Sequence, residues 1–498
     1  GTVLDTQYIE QFESAIDPIT REENPISIPT KDSTIQYTYT FAGWDSELTN
    51  IVADRTIIAT YTESLREYTA KYVSKGVVFK SANGLYGDNI VCDDIPTYTA
   101  EEPYAYYLFN RWDKSGFLDN GFDENGVKTI NAIFDKFEYS STAFDGKDLS
   151  DLSPVEIYAM NKLGLAQDVI TDGDSYSFSL GYDFDYDDIE SIEIIGENSE
   201  FGNNYSSTVE FNGKNYFDTG IQLFDEDKDF ILAIDYEYTG TTSNAVLAQC
   251  YQGNGSVGFK MQYNNGVQLK WGSNTSNIAS VNEREMLVIR HKKGDTNLTI
   301  YGSNLNETEV EIASLASKEF TSAATLMFGC EKQTSTIFTN YANGKIHWAK
   351  IWYKDLGEDV CKKLALWTHE NIGFNACGFN RYYLVDNPDG MCSFSLVASH
   401  LLERTRQMNS ADTNVGGWAD SELYKFLNGR LYNAIPTQIR SLIKPVVIWS
   451  SVGGGSTTSP STELSSSNCY VAIPSVKDVD GINTSGVANS DPYNSESF

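Results

Sequence analysis

A chain of 498 residues is too long to fold around one hydrophobic core, so its length predicts three or four domains. Its formal net charge of −33 argues against a nucleic-acid-binding surface and against binding to an anionic membrane. The seven cysteines stand singly, without a C-x-x-C pair, which argues against a zinc ribbon or a redox motif. Because their number is odd, we predict buried hydrophobic cysteines and not a disulfide scaffold.

The first 140 residues contain a weak duplication, which predicts two small β units at residues 1–64 and 65–140. Each unit combines a few alternating strands with one tryptophan near its middle. The chain begins inside an apparent strand, so we expect the first unit to be incomplete at its N-terminal end. The matching segments are 1–4 with 76–79, 41–45 with 109–113, and 56–61 with 129–134.

The centre of the first unit reads Tyr-Thr-Phe-Ala-Gly-Trp-Asp at residues 39–45. Together with a G-x-V-L start and a T-x-x-A-x-Y end, it resembles the Listeria–Bacteroides repeat, also called the internalin B-type repeat. The second unit departs from this pattern, with Asn110 and Arg111 in place of Ala and Gly and an insertion at 115–125. The family is a spacer module of surface adhesins and phage fibres, so the resemblance implies stalk units without a catalytic site.

Residues 141–204 read as a linker with a short helix and strands. Ser153 and Glu156 form an S-x-x-E capping box around Pro154, which predicts a helix that ends at Gly164. Further on, aspartates alternate with aromatic residues, which predicts a strand with three carboxylates on one face: Asp183, Asp185 and Asp187. A calcium ion would relieve their repulsion, but the EF-hand pattern is absent, so a solvated face is the favoured interpretation.

Residues 205–375 consist of short apolar strands separated by turns rich in Gly, Asn and Ser, which predicts a two-sheet β-sandwich. The predicted strands lie at 230–236, 257–263, 286–290 and 298–301, with hairpin turns at 264–266 and 293–295. Candidate ligand-binding residues in this domain are carboxylates and aromatics, namely Asp235, Glu237, Tyr263 and Trp271. His347 stands in a strand between apolar neighbours and is interpreted as structural.

The segments 216–220 (Tyr-Phe-Asp-Thr-Gly) and 343–353 resemble the opening and closing strands of the laminin-G/concanavalin-A-like lectin fold, a jelly-roll sandwich. The resemblance implies that these two strands pair, and that the domain binds glycans or proteins, sometimes through calcium. The same fold houses glycoside hydrolases, and Asp235 and Glu237 would share a strand face as a retaining carboxylate pair does. Hydrolases of this fold carry a longer E-x-D-x-E pattern, so a binding module is favoured.

Residues 376–498 change to an α+β pattern, with helices predicted at 395–408 and 420–429 and a strand ending near Trp449. The G-W-x-D-S-E-L-x-x-F-L-N-G run at 417–429, followed by Y-V-A-I-P-S, resembles a domain of unknown function from gut Firmicutes and their phages. That domain is similar to the C-type-lectin-like scaffold, and it carries no known catalytic residue. Its closing strand is lacking, so the module is expected to be incomplete at its C-terminal end. Cys392 and His400 lack an orienting carboxylate and are interpreted as core residues.

Taken together, these resemblances imply a mainly β, multidomain, non-enzymatic virion protein: a phage tail or head fibre, or adhesin, presenting binding domains to a Gram-positive host. The alternatives are a bacterial cell-surface adhesin and a glycan-degrading enzyme on the sandwich. The expected partners are a host surface glycan or protein, other virion proteins and further copies of the chain as a trimer or repeated display. Nucleic-acid binding and membrane insertion are not expected. Calcium is the one cofactor that the sequence allows for. The expected location is extracellular, on the virion surface or, alternatively, on the bacterial surface.

Overall fold

A computed structural model describes most of the chain as β structure in two compact units. The first unit combines Gly1–Pro96 with Trp112–Ile133, and the second combines Thr97–Arg111 with Phe134–Phe498. For residues 251, 271 and 274–279 only the backbone is described. The described residues are 2–98, 105–147, 152, 156, 160, 175–181, 184, 186–223, 228–251, 258–271, 274–279, 284–295, 298–302, 324–333, 336–367, 372–377, 382–387, 389–392, 394–399, 408–409, 411, 413–453 and 463–473.

The first unit contains a β-hairpin and a small sheet. The hairpin pairs β1 with β2 antiparallel. Ala42 is the extra residue of a bulge, and Gly43 follows it with φ of 126°, beside Trp44. In the small sheet β3 pairs antiparallel with β4, and a tight turn with positive φ at Lys75 and Gly76 connects these two strands. On its other side β3 pairs parallel with the start of β6. The strands are β1 (Tyr37–Trp44), β2 (Ala59–Leu65), β3 (Glu67–Ser74), β4 (Val77–Leu85), β5 (Ala105–Trp112) and β6 (Val127–Glu138), of which nearly all of β5 and the end of β6 belong to the second unit.

The second unit is built around a β-sandwich, which confirms the predicted fold class. One sheet has the strand order β10-β18-β12-β13-β14-β15, and we call it sheet A. The other, sheet B, has the order β17-β16-β11-β21-β8, and β9 pairs with the other end of β21. The strands are β8 (Ser191–Ile195), β9 (Val209–Asn212), β10 (Phe217–Asp218), β11 (Phe230–Tyr238), β12 (Val246–Tyr251), β13 (Gly258–Tyr263), β14 (Val267–Trp271), β15 (Asn274–Ala279), β16 (Arg284–His291), β17 (Thr299–Gly302), β18 (Met327–Phe328) and β21 (Asn343–Trp352).

The core of the sandwich lies between the inner faces of these two sheets. Alternate residues of β11 point inward from sheet B, and they meet alternate residues of β13 and β14 from sheet A. The period of two in the sequence is therefore the physical origin of the two layers. Core side chains include Phe230, Leu232, Ile234 and Tyr236 from β11, with Phe259, Met261, Val267 and Leu269 opposite.

The hairpins of the sandwich were predicted correctly from the sequence, but the predicted pairing of its opening and closing strands was wrong. Asn265 and Gly266, both at positive φ, turn the chain from β13 to β14 as predicted. The expected pairing of the opening and closing strands does not occur, because β10 pairs with β18 in sheet A. The closing strand β21 belongs to sheet B, where β11 lies along one edge and β8 and β9 share the other.

Residues around the sandwich add short helices and small sheets. β22 pairs with β7 and β23, while β24 pairs with β25 and β19 with β20. These elements are β7 (Ser175–Phe178), α1 (Glu358–Leu364), β19 (Glu331–Lys332), β20 (Phe338–Thr339), β22 (Ile372–Cys377), β23 (Ser395–Ala398), β24 (Val446–Ser451) and β25 (Leu464–Cys469), with a 3₁₀ turn at Asn203–Tyr205. No helix among the described residues is long and apolar enough to cross a membrane.

The helical predictions near the C-terminus were partly right. The helix predicted at 420–429 begins with Ser421, which caps α3 by accepting a hydrogen bond from the Tyr424 amide. The helix does not stop at Gly429, because a π-helical turn continues its buried face through Leu431. The helix predicted from residue 395 is wrong at its start, where β23 pairs with β22, and residues 400–407 lie outside the described part. The helices are α2 (Gly417–Asp420), α3 (Glu422–Phe426), α4 (Tyr432–Ala434) and α5 (Thr437–Arg440), with the π turn at Leu427–Leu431.

The cysteines are free and mostly buried, as predicted. Cys392 is the exception among the seven, because it is partly exposed and is not the core residue that the sequence predicted. Burial raises the pKa of the Cys250 thiol to about 12, so little thiolate forms there near neutral pH. In the native protein we expect one thiol to react quickly with Ellman's reagent and six to react only after denaturation. Loss of the fast phase in Cys392→Ser would assign it, and a fast phase that persists in this variant would contradict the described burial.

Candidate functional site

The structure places two of the four predicted ligand-binding residues together. Asp235 and Glu237 lie two residues apart on β11, on the outer face of sheet B, as the alternation predicted. Tyr263 lies elsewhere, since its ring packs against the inner core with its centroid 6.1 Å from that of Tyr238. Trp271 is the last residue of β14, and its side chain lies outside the described part.

The buried Asp235 is held in an ion pair with the partly exposed Arg284. Its side chain is 3% exposed, and Arg284 Nη2 lies 2.8 Å from its Oδ2. Arg284 Nε lies 3.2 and 3.1 Å from the two carboxylate oxygens, so the guanidinium holds both of them. A carboxylate engaged in this way is poorly placed to exchange protons with a substrate.

The aspartates proposed for calcium are only partly described. Asp183 and Asp185 lie outside the described residues. Asp187 lies in a turn, exposed, with Arg111 Nη2 3.3 Å from its Oδ1. Among the residues that the structure describes, no group of three or more His, Cys, Asp or Glu side chains could hold a metal ion. The calcium site stays a prediction.

The outer face of sheet A carries a row of polar side chains that the sequence analysis did not select. Strand register places Asp218, Gln249, Lys260 and Lys270 side by side on adjacent strands, with Met327 between the first two. Their chain neighbours point into the core, so this row points outward. With Gln262 on the same face and Glu331 and Lys332 from β19, we call these residues the polar face.

Two ion pairs fix four of the five charged members of the polar face. Lys260 Nζ lies 2.9 Å from Glu331 Oε1, with both side chains no more than 10% exposed. The Asn340 amide donates to the other oxygen of Glu331. Lys332 Nζ lies 3.1 Å from Asp218 Oδ2 at the neighbouring position. These contacts hold long side chains in one arrangement, which lowers the entropy cost of binding a ligand.

Asp218 stays ionised in this setting. Burial by itself would raise its pKa, but the Gly220 amide and the Lys332 ammonium group, which both donate hydrogen bonds to its carboxylate, lower the pKa. The contribution of Asp218 to stability is therefore present above its unfolded-state pKa and is lost as the pH falls through the lowered value. The negative end of the polar face persists through mildly acidic and neutral pH.

Gln249 supplies a buried amide in the middle of the polar face. Its side chain is inaccessible to solvent, and its Nε2 lies 3.8 Å from the sulfur of Met327. Its Oε1 has no hydrogen-bond partner within the described part of the chain. Because solvent does not reach this acceptor, leaving it without a partner costs about 1–3 kcal/mol, so Gln249 is a buried structural member of the polar face.

An aromatic stack adjoins the polar face. The rings of Tyr216 and Phe338 are stacked with centroids 4.5 Å apart, and Tyr341 lies 6.4 Å from Tyr216. Tyr216 is 43% exposed although it directly precedes the buried Phe217. Strand alternation turns Tyr216 to the same outer side as Asp218. An accessible ring beside fixed polar groups can contact a ligand that has both apolar and hydrogen-bonding surfaces.

Two sequence signals could have revealed this site. The Y-F-D-T-G segment was read only as an opening strand, yet its alternation already placed Tyr216 and Asp218 on one face. Polar residues also alternate with apolar ones in the strand Gly-Phe-Lys-Met-Gln-Tyr at 258–263. Neither signal joins Lys260 to Glu331, because that contact spans 71 residues of sequence.

Comparisons with known proteins find partial similarities to solved structures. No known family and no curated protein matches the chain. The CBM40 module of the Ruminococcus gnavus IT-sialidase is 14% identical, with 31% of this chain and 93% of that one covered and a TM-score of 0.25. A leech intramolecular trans-sialidase is 11% identical over 36% of this chain and 30% of that one, with a TM-score of 0.25. A Trypanosoma rangeli sialidase mutant is 11% identical over 39% and 32%, with a TM-score of 0.24.

Proposed function

We propose that the sandwich binds carbohydrate on the polar face of sheet A, beside the aromatic stack. The observation that carries this proposal is the exposed ring of Tyr216 next to the partly exposed ion pair of Asp218 and Lys332. A sugar ring has an apolar C–H surface that can lie on an aromatic ring, and hydroxyl groups that pair with amides and carboxylates. Tyr216 offers the first kind of contact, and the partly exposed Asp218 and Lys332 offer the second.

We further propose that the chain displays this domain outside the cell, as part of a phage tail or head fibre facing a Gram-positive host. The resemblance of residues 1–64 to adhesin spacer repeats supports this role, and so does the series of β domains along the chain. A bacterial surface adhesin is the alternative, since it would use the same domains. Display in several copies would strengthen weak single-site binding.

The proposed role is binding without hydrolysis. The support is the state of Asp235, whose carboxylate is bound on both oxygens by Arg284 and is almost completely buried. A glycan-degrading enzyme would need one carboxyl group free to donate a proton. Mass spectrometry of glycans incubated with the full chain tests this role. If the wild type cleaves a glycan and the Asp235→Asn/Glu237→Gln variant does not, the sandwich is a hydrolase and the proposed binding role is wrong.

We expect Tyr216→Ala to weaken glycan binding by about tenfold or more, because truncating a central aromatic contact commonly costs at least 1–2 kcal/mol. The full chain and this variant are compared on a glycan array and then by titration with any glycan that binds. Tyr8→Ala is the matched control, since Tyr8 is 99% exposed in the first unit. Equal affinity of Tyr216→Ala and the wild type would place the site elsewhere.

The same array, run with calcium and with a chelator, tests the calcium alternative. Binding that survives chelation supports recognition by the polar face alone. Binding that chelation abolishes, together with its loss in Asp183→Asn/Asp185→Asn, would support a calcium-assisted site. Saturable binding of the full chain to intact Gram-positive cells is the result expected of an adhesin, and its absence on all cells tested would argue against this role.

A further inference from the structure

His347 occupies an irregular position in sheet B. Where β21 pairs with β11, Asp235 lies opposite Trp348 and Tyr236 lies opposite Ile346, so His347 is the extra residue of a β-bulge. Such bulges redirect a side chain relative to its strand neighbours. Here the imidazole Nδ1 lies 3.1 Å from Thr208 Oγ1, and Nε2 lies 3.7 Å from Glu237 Oε2.

The groups around His347 balance one another in charge while the imidazole is neutral. From β11 come the carboxylates of Asp235 and Glu237, from β16 comes Arg284, and from β21 itself comes Lys345. Arg284 pairs with Asp235, and Lys345 Nζ lies 3.4 Å from Glu237 Oε2. Two positive and two negative groups give a local sum of zero, and the further carboxylate of Glu210, opposite Lys345 on β9, is exposed and screened by water. A proton on His347 would therefore add a charge that no further carboxylate of this cluster matches.

The imidazole is also poorly hydrated. Its side chain is 15% exposed, and Nε2 is buried without a hydrogen-bond partner among the described residues. Burial lowers the pKa of His347 below its usual value, Arg284 and Lys345 lower it further, and the two carboxylates only partly oppose them. Geometry and charge balance therefore both favour the neutral ring.

We propose that His347 makes the sandwich acid-sensitive: when the ring takes a proton from water, the cluster gains an unbalanced charge that weakens the strand pairing around it. The unfolded chain binds this proton more readily than the folded one. The free energy of unfolding therefore falls as the pH drops through the unfolded-state pKa of about 6.5, and levels off below the folded-state pKa. This inference does not depend on glycan binding.

The strands affected lie next to the candidate site. Thr208 immediately precedes β9, and β9 leads within a few residues to Tyr216. The Gly213 amide in that connection donates to the Ala342 carbonyl at 2.9 Å, just before β21. If the proposed glycan site is correct, mildly acidic solution should also weaken binding there, and this consequence alone rests on the proposed function.

NMR titration of the histidine ring protons in the full chain tests the inference directly. The protein has four histidines, and His347→Gln assigns the resonance of interest. We expect its midpoint below pH 6.5. In Lys345→Met the cluster carries one net negative charge, so the midpoint should move upward. Lys293→Met removes an exposed lysine in the β16–β17 turn and should leave the midpoint unchanged.

Thermal unfolding provides the second measurement. Between about pH 7.5 and pH 5, the wild type should lose more thermal stability than His347→Gln, because the variant has no imidazole to protonate. A wild-type midpoint at or above 6.5 would overturn the inference. So would an unchanged midpoint in Lys345→Met, or the same loss of stability with pH in His347→Gln and the wild type.

Discussion

The Lys260→Met variant is expected to unfold with a free energy about 3–5 kcal/mol below that of the wild type. The methionine side chain replaces the aliphatic part of lysine but leaves Glu331 as a buried carboxylate without its cation. Glu331 is 6% exposed, so water cannot replace the lost ammonium group. Asn340 still donates to this carboxylate, but a neutral amide does not balance its charge. Urea unfolding of the full chain, followed by tryptophan fluorescence, measures the difference.

Two further variants separate this charge effect from general damage to the sheet. The double variant Lys260→Met/Glu331→Gln removes both charges and should recover much of the lost stability, because no unpaired ion is left buried. Lys270→Met changes the register partner of Lys260 on β14, where the side chain is only half-buried, and should cost less than 1 kcal/mol. Equal losses in Lys260→Met and Lys270→Met would contradict a special role for the buried pair.

Trp352→Ala is expected to destabilise the second unit by about 3–5 kcal/mol, the usual cost of truncating a buried tryptophan. Trp352 ends β21 with 1% of its surface exposed. Its ring lies 5.9 Å from that of Phe184 and 6.1 Å from that of Trp348, so removing the indole leaves a cavity on the outer side of sheet B. The change should appear as a lower midpoint of the thermal unfolding transition of the sandwich.

Trp449→Ala is the matched control for Trp352→Ala. Trp449 lies on β24 and is 42% exposed, so the same substitution removes little buried surface there. Its effect on the free energy of unfolding should stay within about 0.5–1 kcal/mol. A large loss in Trp449→Ala with little change in Trp352→Ala would mean that the outer side of sheet B is not packed as described.

Local patterns in the sequence were sufficient for the strands and turns of the sandwich. Alternating apolar residues located β11, β13, β16 and β17 to within two residues of their bounds, and Asn-Gly and Lys-Gly pairs located the hairpin turns. The same period of two placed Asp235 and Glu237 on one face. These features depend on neighbours in sequence, since side-chain direction alternates along any strand.

Local sequence patterns did not determine which side chains contact one another. Asp235 and Glu237 were chosen as exposed carboxylates, but their partners Arg284, Lys345 and His347 come from two other strands. The helix predicted from residue 395 begins as a strand because an open edge of β22 is available there. A short apolar segment satisfies either pattern, and the available hydrogen-bonding edge decides between them.

The sequence by itself therefore determined a mainly β chain with a sandwich, buried thiols and an acidic surface. Only the tertiary structure decided that β10 pairs with β18, which brings Tyr216 and Asp218 next to Phe338 and Lys332. It also decided that Lys260 meets Glu331 and that His347 faces Glu237. The physical reason is that strand order and register are set by the packing of both sheets at once, which joins residues far apart in sequence.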